Sequence, residues 1–234
     1  NVISPFLPAG FYYKTFMWPA SFWEKYEYFI RHSAGLGKSP KDKDPDIYDH
    51  RYIHCDVLVV GAGISGILAA KNAAKNNLKT LLVDEKNELG GATIYQNREF
   101  NKIENQSSSD WIKKEIQELK NLNNLEIKTR TSVAAFHGYN YLLARENLTD
   151  HLEKKDKKNK IRQRLLKIRA KKVILATGAL ERPLIFNNND RPGIILSSAI
   201  KKYNNFYGVA CGTKTIFFTN NDSAYESALA LHNK

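Results

Sequence analysis

The segment Asp56 to Gly91 constrains this chain more than any other stretch of it. An apolar run, CDVLVV, ends in Gly61-Ala62-Gly63-Ile64-Ser65-Gly66. The small-residue stretch ISGILAAKNAAKNN follows, and a second apolar run, LKTLLV, closes on Asp84 and Glu85. Short, continuously apolar runs bounded by turns are the mark of parallel strands, whose two faces are both covered. A lone G-x-G-x-x-G is a weak signal. Placed after a strand, opening a helix and followed by a second strand that ends in acid, it is the dinucleotide-binding fingerprint.

Each position in it has a physical task. Gly61 makes the tight turn out of the strand. Gly63 leaves the main chain bare, so that a diphosphate can approach it. Gly66 lets the helix pack close to the strand, and Ala69, Ala70, Ala73 and Ala74 keep that helix slim. The helix opens at Ile64 and Ser65, where free N–H groups and about half a unit of positive charge favour an anion. The acid lies 18 or 19 residues after Gly66. Its carboxylate suits the ribose hydroxyls of an adenosine and disfavours a 2′-phosphate, which argues against NADP. Glu85 is the first choice for this role and Asp84 the second, since the register of a strand end is uncertain by a residue.

Other functions are disfavoured by composition. The chain has 234 residues, 42% hydrophobic and 26% charged, enough for one or two soluble domains. Its two cysteines, Cys55 and Cys211, form neither a disulfide framework nor a metal-ligand spacing. No apolar run reaches the roughly 18–20 residues needed to span a bilayer, and no secretory leader is visible, so a cytoplasmic protein without a membrane partner is expected. The net charge is +12, and eleven of the cations fall between Lys154 and Lys172. That run lacks interleaved aromatics or any nucleic-acid motif, so we read it as a solvated hairpin leading into a strand and expect no nucleic-acid partner. His54 and Cys55 are adjacent on a strand and therefore face opposite ways, which excludes a paired nucleophile and base. The remaining histidines are scattered, without ligand spacing, and no metal site is expected.

The chain reads as an α/β protein in three parts. Residues 1–54 are a leader and linker; eleven of the first thirty residues are Phe, Tyr or Trp, and 39–52 is a polar connector. Residues 55–200 are the dinucleotide-binding domain. Within it SDWIKKEIQEL is an amphipathic helix, with Ile112, Ile116 and Leu119 on its apolar side and serines placed to cap it. A β insertion is expected near 125–171, and KKVIL is a third buried strand. Residues 201–234 begin a second nucleotide-type domain with the strand KTIFFTN. Its turn, Thr219 to Ala224, lacks glycines, so that site should be degenerate. The chain opens on Asn1 instead of Met and closes inside an apparent helix, so a fragment, incomplete at both ends, is expected.

Leu89-Gly90-Gly91 follows the second strand, and Ala176-Thr177-Gly178 follows KKVIL. With the fingerprint, these resemble the Rossmann-type FAD/NAD(P)-binding domain of glutathione reductase-like flavoproteins, in which a small antiparallel sheet is inserted into a parallel one. Gly90, Gly91, Thr177 and Gly178 would then join the cofactor site.

Four stretches go further: KTFMWPASFWEKYEYFIRHSAGLGK, HCDVLVVGAGISG, LLVDEKNELGG and RQRLLKIRAKKVILATGALERPLIFNNNDRPGIILSSA. They resemble the α subunits of heterotetrameric sarcosine oxidases. The resemblance implies oxidative demethylation of sarcosine to glycine, with hydrogen peroxide and methylene-tetrahydrofolate as further products. It implies NAD at the fingerprint, FAD and FMN elsewhere in the complex, and β, γ and δ subunits as partners. No residue of this chain would then be the acid, base or nucleophile. The run A-T-G-x-x-E-R-P is shared with α subunits of dye-linked proline dehydrogenase and of cyanide synthase, in which the same pocket takes FAD or another adenine nucleotide, so NAD and FAD both stand. A free-standing FAD-dependent NADH oxidoreductase and a non-catalytic, nucleotide-holding structural subunit are the other readings. Arg182, Asp190 and Arg191, just after the ATG turn, could contact a nucleotide or a partner chain.

Overall fold

The structure is a computed structural model that describes residues 18–37, 41–96 and 101–232. The chain divides into two units, residues 1–45 and 46–234. In the first, a 3-10 turn at Ala20–Phe22 leads into α1 (Trp23–Ser33). Arg31 pairs with Glu27 one turn back, and the His32 ring sits 4.1 Å from that of Tyr28. The aromatic residues before Trp18 lie outside the described residues.

The second unit is built on a six-stranded sheet of order β5-β2-β1-β8-β7-β6. Strands β1 (Ile47–Val60), β2 (Thr80–Val83), β5 (Leu125–Lys128) and β8 (Ile161–Leu175) run parallel. Strands β6 (Thr131–His137) and β7 (Tyr141–Asn147) continue the same sheet antiparallel. A separate two-stranded ribbon joins β3 (Lys102–Ile103) to β4 (Gln106–Ser107).

Side chains alternate across a strand, and both faces of the parallel part are covered. Val57, Val59 and Leu82 face helices α2 (Ile64–Lys75) and α3 (Ser108–Lys120), meeting Ile67, Ala70, Trp111, Ile112 and Leu119. Leu58, Leu81 and Val83 face the other way, onto Leu142 and Ala144 of β7 and Leu166 and Ile168 of β8. The sheet thus folds over to cover its own second face. Burying a leucine completely, as at Leu58, Leu81, Leu142 and Leu166, contributes about 1.5–3 kcal/mol per side chain. Lys71 on α2 pairs with Glu115 and Glu118 on α3, at 2.6 and 2.7 Å, and ties the two helices together. Helices α4 (Ser197–Asn205) and α5 (Ser223–His232) follow. No helix among the described residues is long and apolar enough to cross a membrane.

Several expectations are corrected. Residues 47–52, read as connector, are strand: β1 starts at Ile47 and pairs with β8 along nearly its whole length. Asp49 there pairs with Arg164 across the ladder. Leu125–Lys128 lies in the parallel sheet beside β2, so the antiparallel stretch begins only at Thr131. The end of β8 is less buried than its sequence suggests, with Ile174 38% and Leu175 60% exposed. On that side β7 reaches only to Tyr141, opposite Arg169, and no described segment pairs with the last residues of β8. Residues 214–220 form no strand; Ile216 is 96% exposed, because no described segment runs beside it to complete a ladder. The lysine run forms one helical turn, Lys154–Lys157, between β7 and β8. Ser107 takes the N-cap position of α3 without a capping bond; its hydroxyl meets that of Ser109 at 2.8 Å.

Candidate functional site

The fingerprint turn sits where β1 hands over to α2, and its three glycines are used differently. Gly61 has φ +98°, and a Cβ there would stand 2.3 Å from the carbonyl oxygen of Ala176. A Cβ on Gly66 would stand 1.8 Å from the carbonyl oxygen of Gly61, so helix and strand could not approach as they do. A Cβ on Gly63 would meet nothing within 4 Å. Its bareness serves no contact inside the protein; it leaves the mouth of the turn open.

Helix α2 starts at that mouth. Its first internal bond runs from the Ile67 N–H to the Gly63 carbonyl, at 2.9 Å, so the amides of Ile64, Ser65 and Gly66 precede the ladder. No side chain caps the helix, and no acid lies in its first turn. Ser65 is exposed, while Ile64 leans on the core between sheet and helices. The arrangement is chemically an anion seat: free donors, the positive end of a twelve-residue helix, and room above Gly63.

Two further segments converge on it. Gly90 (φ +116°) donates its N–H to the Ala62 carbonyl at 2.7 Å. A Cβ on Gly91 would stand 2.9 Å from the Cα of Gly63. On the opposite flank the Ala176 N–H bonds the Val60 carbonyl at 2.8 Å, which brings the ATG turn alongside. Thr177 and Gly178 follow, both exposed, with Gly178 at φ +72°.

The two acids, adjacent in sequence, are placed unlike each other. Asp84 is buried and turned inward, where its Oδ2 accepts the Ala62 N–H at 2.6 Å and its Oδ1 the Lys86 N–H at 2.8 Å. Glu85, the next residue, is exposed. The sequence carried no signal for the use of the Ala62 amide as Asp84's partner.

The remaining candidates do not join this cluster. Cys55 is buried in the second core cluster, where burial pushes its thiol up to about 11, and His54 is exposed. Arg182, Asp190 and Arg191 are exposed on the loop after the ATG turn. Their neighbour Glu181 has a structural task that the sequence did not reveal: its carboxylate accepts the N–H groups of Ser197 and Ser198, at 3.2 and 2.7 Å, and caps α4. At the glycine-free turn before α5, the Asn221 side-chain oxygen accepts the Ser223 N–H at 3.0 Å. No group of His, Cys, Asp and Glu among the described residues could hold a metal ion.

Residues 56–176 match the family described as FAD dependent oxidoreductase. The chain is 42% identical over 232 residues to the sarcosine oxidase subunit alpha of Rhizobium meliloti (strain 1021), covering 99% of this chain and 23% of that protein. It is 41% identical over 191 residues to the protein of the same name from Corynebacterium sp. (strain P-1), covering 82% and 20%. The chain thus spans about a fifth to a quarter of the length of these relatives. Among solved structures, the L-proline dehydrogenase of P. horikoshii superposes with a TM-score of 0.61 at 26% identity, covering 84% of this chain and 36% of that one.

Proposed function

The chain belongs to the FAD dependent oxidoreductase family, and from that premise we propose that it is the dinucleotide-holding segment of the α subunit of an oxidase acting on sarcosine. The complex would convert sarcosine, oxygen and tetrahydrofolate to glycine, hydrogen peroxide and methylene-tetrahydrofolate, with β, γ and δ subunits as partners. The likeness to sarcosine oxidase α subunits over nearly the whole chain supports the substrate. The observation that carries the nucleotide reading is the open, uncapped mouth at Gly63, beside which an added Cβ meets no protein atom within 4 Å.

The residues present fit an adenine dinucleotide. Ile64 and Ser65 offer main-chain N–H groups to the diphosphate, and Gly63 and Gly91 keep side chains out of its way. Glu85, which is exposed, or Asp84, whose oxygens each keep a lone pair beyond the one amide they accept, presents a carboxylate to the ribose hydroxyls. Gly61 and Gly66 set the distance between strand and helix, and Gly90 and the Thr177–Gly178 turn wall the flanks. FAD, the cofactor of the family, and NAD, implied by the closer resemblance, share this adenosine diphosphate half. Either supplies two-electron acceptor chemistry when bound. This chain's residues bind and orient; the acid–base work on the amine belongs to another subunit.

A second reading, the α subunit of an amino-acid dehydrogenase, is favoured by the likeness to the L-proline dehydrogenase. One experiment tests both. The full-length protein is purified with its partner subunits, denatured, and the released nucleotide identified by mass and absorption. The intact complex is then given sarcosine or proline, and flavin bleaching and peroxide are followed. Adenine dinucleotide release with bleaching by sarcosine supports the proposal, and bleaching by proline alone moves it to the second reading. Absence of any adenine nucleotide, or a complex inert to both amines, sinks it and leaves a structural subunit.

A further inference from the structure

One face of the second unit's sheet is left open within that unit. The first halves of β1 and β8 lie side by side with β7, and alternate residues of each strand point the same way. The inward set, with Ile53, Leu166, Ile168, Leu142 and Ala144, packs on the core. The outward set runs from Tyr48 to His54 on β1, from Gln163 to Arg169 on β8 and from Tyr141 to Asn147 on β7. Tyr48, Tyr52 and Leu165 on it are 50%, 66% and 40% exposed. Not one residue of the outward set is an acid. The acids of these segments, Asp49 and Glu146, belong to the inward set, 2.7 and 3.7 Å from the guanidinium of Arg164.

Three cations stand on the open face: Arg145, Lys167 and Arg169. None of them forms an ion pair with a described residue, whereas Arg162, Arg164 and Lys171 close by all do. Lys167 lies 4.9 Å from the centre of the Tyr52 ring and donates to its hydroxyl at 3.3 Å, and Arg169 lies 5.3 Å from the centre of the Tyr141 ring. The face is part aromatic, positively charged and without counter-charge of its own. Tyrosine and arginine are enriched in the buried centres of protein interfaces, and complementary charge selects the partner that docks. Both rings already carry a cation, which makes them poor platforms for stacked bases and sets a nucleic-acid strand aside.

We propose that this face docks another subunit of the oxidase complex, one that presents carboxylates between apolar side chains. The inference rests on the reading of this chain as part of an α subunit. The outward set covers roughly 20 Å along the strands and 10 Å across them, room for one acidic helix of about 13 residues. Its carboxylates meet Arg145, Lys167 and Arg169, and its apolar side chains lie on Tyr52 and Leu165.

The test uses the intact complex of the full-length protein with its partner subunits. A zero-length carbodiimide joins an amine to a carboxylate in direct contact, and peptide mass spectrometry identifies the pair. Lys167 joined to an Asp or Glu of another subunit supports the proposal. Lys167 joined to a carboxylate elsewhere in its own chain overturns it, and so does Lys167 left uncoupled while Lys171 couples to Asp56, its partner at 2.7 Å. The second measurement is subunit dissociation on dilution, followed by mass photometry, for wild type and the double variant Lys167→Glu, Arg169→Glu. Like charges set against the partner's carboxylates predict dissociation on the order of a hundredfold easier, and the weakening of the wild type by salt should vanish. Unchanged dissociation, or nucleic acid that leaves the complex when the charges are reversed, overturns the proposal. Should the double variant fail to fold, Tyr52→Ala is read in the same way. A complex that oxidises sarcosine and ignores the charge reversal sinks this face alone. One that assembles through this face but is inert to both amines sinks the reaction alone.

Discussion

A Cβ on Gly66 would lie 1.8 Å from the carbonyl oxygen of Gly61, a distance that no packed structure tolerates. Helix α2 therefore rests on the end of β1 through bare main chain. Gly66→Ala must push the helix off the strand, and the cost of overpacking a tight site is about 1–3 kcal/mol or more. Gly63→Ala meets no atom and should leave stability unchanged while weakening nucleotide retention. Thermal denaturation together with the nucleotide content of each purified variant separates the two. Equal melting temperatures for the two variants would contradict this account.

The two cysteines should react very differently. Burial holds the Cys55 thiol protonated, near 11, whereas Cys211 is exposed. The thiolate is the nucleophile, so iodoacetamide at pH 8 should label Cys211 quickly and Cys55 only on unfolding. Peptide mass spectrometry over a labelling time course reads this directly. Comparable rates at both sites would mean that the strand carrying Cys55 opens far more readily than its packing implies.

Acid should first loosen the paired starts of β1 and β8. Arg164 grips Asp49 through two bonds, at 2.7 and 3.0 Å, and these bonds hold the Asp49 carboxyl below its ordinary range against the opposing effect of burial. Asp150 is depressed likewise by Arg162 and Gln163. A carboxyl whose folded pKa is depressed contributes stability above its unfolded value, near 3.9, and loses it as pH falls through the folded one. Melting temperature should therefore be flat from pH 6 to 8 and fall below about pH 4. Asp49→Asn should melt lower at pH 7 and show a shallower acid decline; an unchanged acid slope would refute the assignment.

The covering of the sheet's second face makes a graded prediction. Leu142 on β7 is fully buried against Leu58 and Leu166, and Leu142→Ala should cost about 2–5 kcal/mol. Phe136, on the neighbouring strand, is 51% exposed, and Phe136→Ala should cost about 0.5 kcal/mol or less. Urea denaturation at constant m-value measures both.

The fingerprint was legible because space demands glycine at Gly61 and Gly66, and space leaves a mark in the sequence. Gly61, Gly63 and Gly66 each stand where their spacing places them, and so do the helix opening at Ile64 and the return of KKVIL beside β1. The division of labour between Asp84 and Glu85 was not legible. Nothing in the letters D and E tells which finds two amides and which faces outward; that depends on the direction of the chain at the end of β2. The reach of β1 back to Ile47 was hidden for a related reason. Asp49 and Arg51 read as linker, yet the acid of Asp49 is neutralised across the ladder by Arg164. Residues 214–220 show the converse, an apolar strand-like run with no described neighbour to pair with.

The long ladder between β1 and β8 bears on how the molecule is made. Val57 lies opposite Lys172, more than a hundred residues later in the chain. The central strand is thus among the first parts of its unit to leave the ribosome and waits longest for its second neighbour. Until Ile161 to Leu175 emerges, Val57 to Val60 form an open, apolar border, the kind of edge that invites pairing with another nascent chain. Expression at low temperature, or with a holdase to shield that border, should raise the yield of folded protein more than any change to the finished surface.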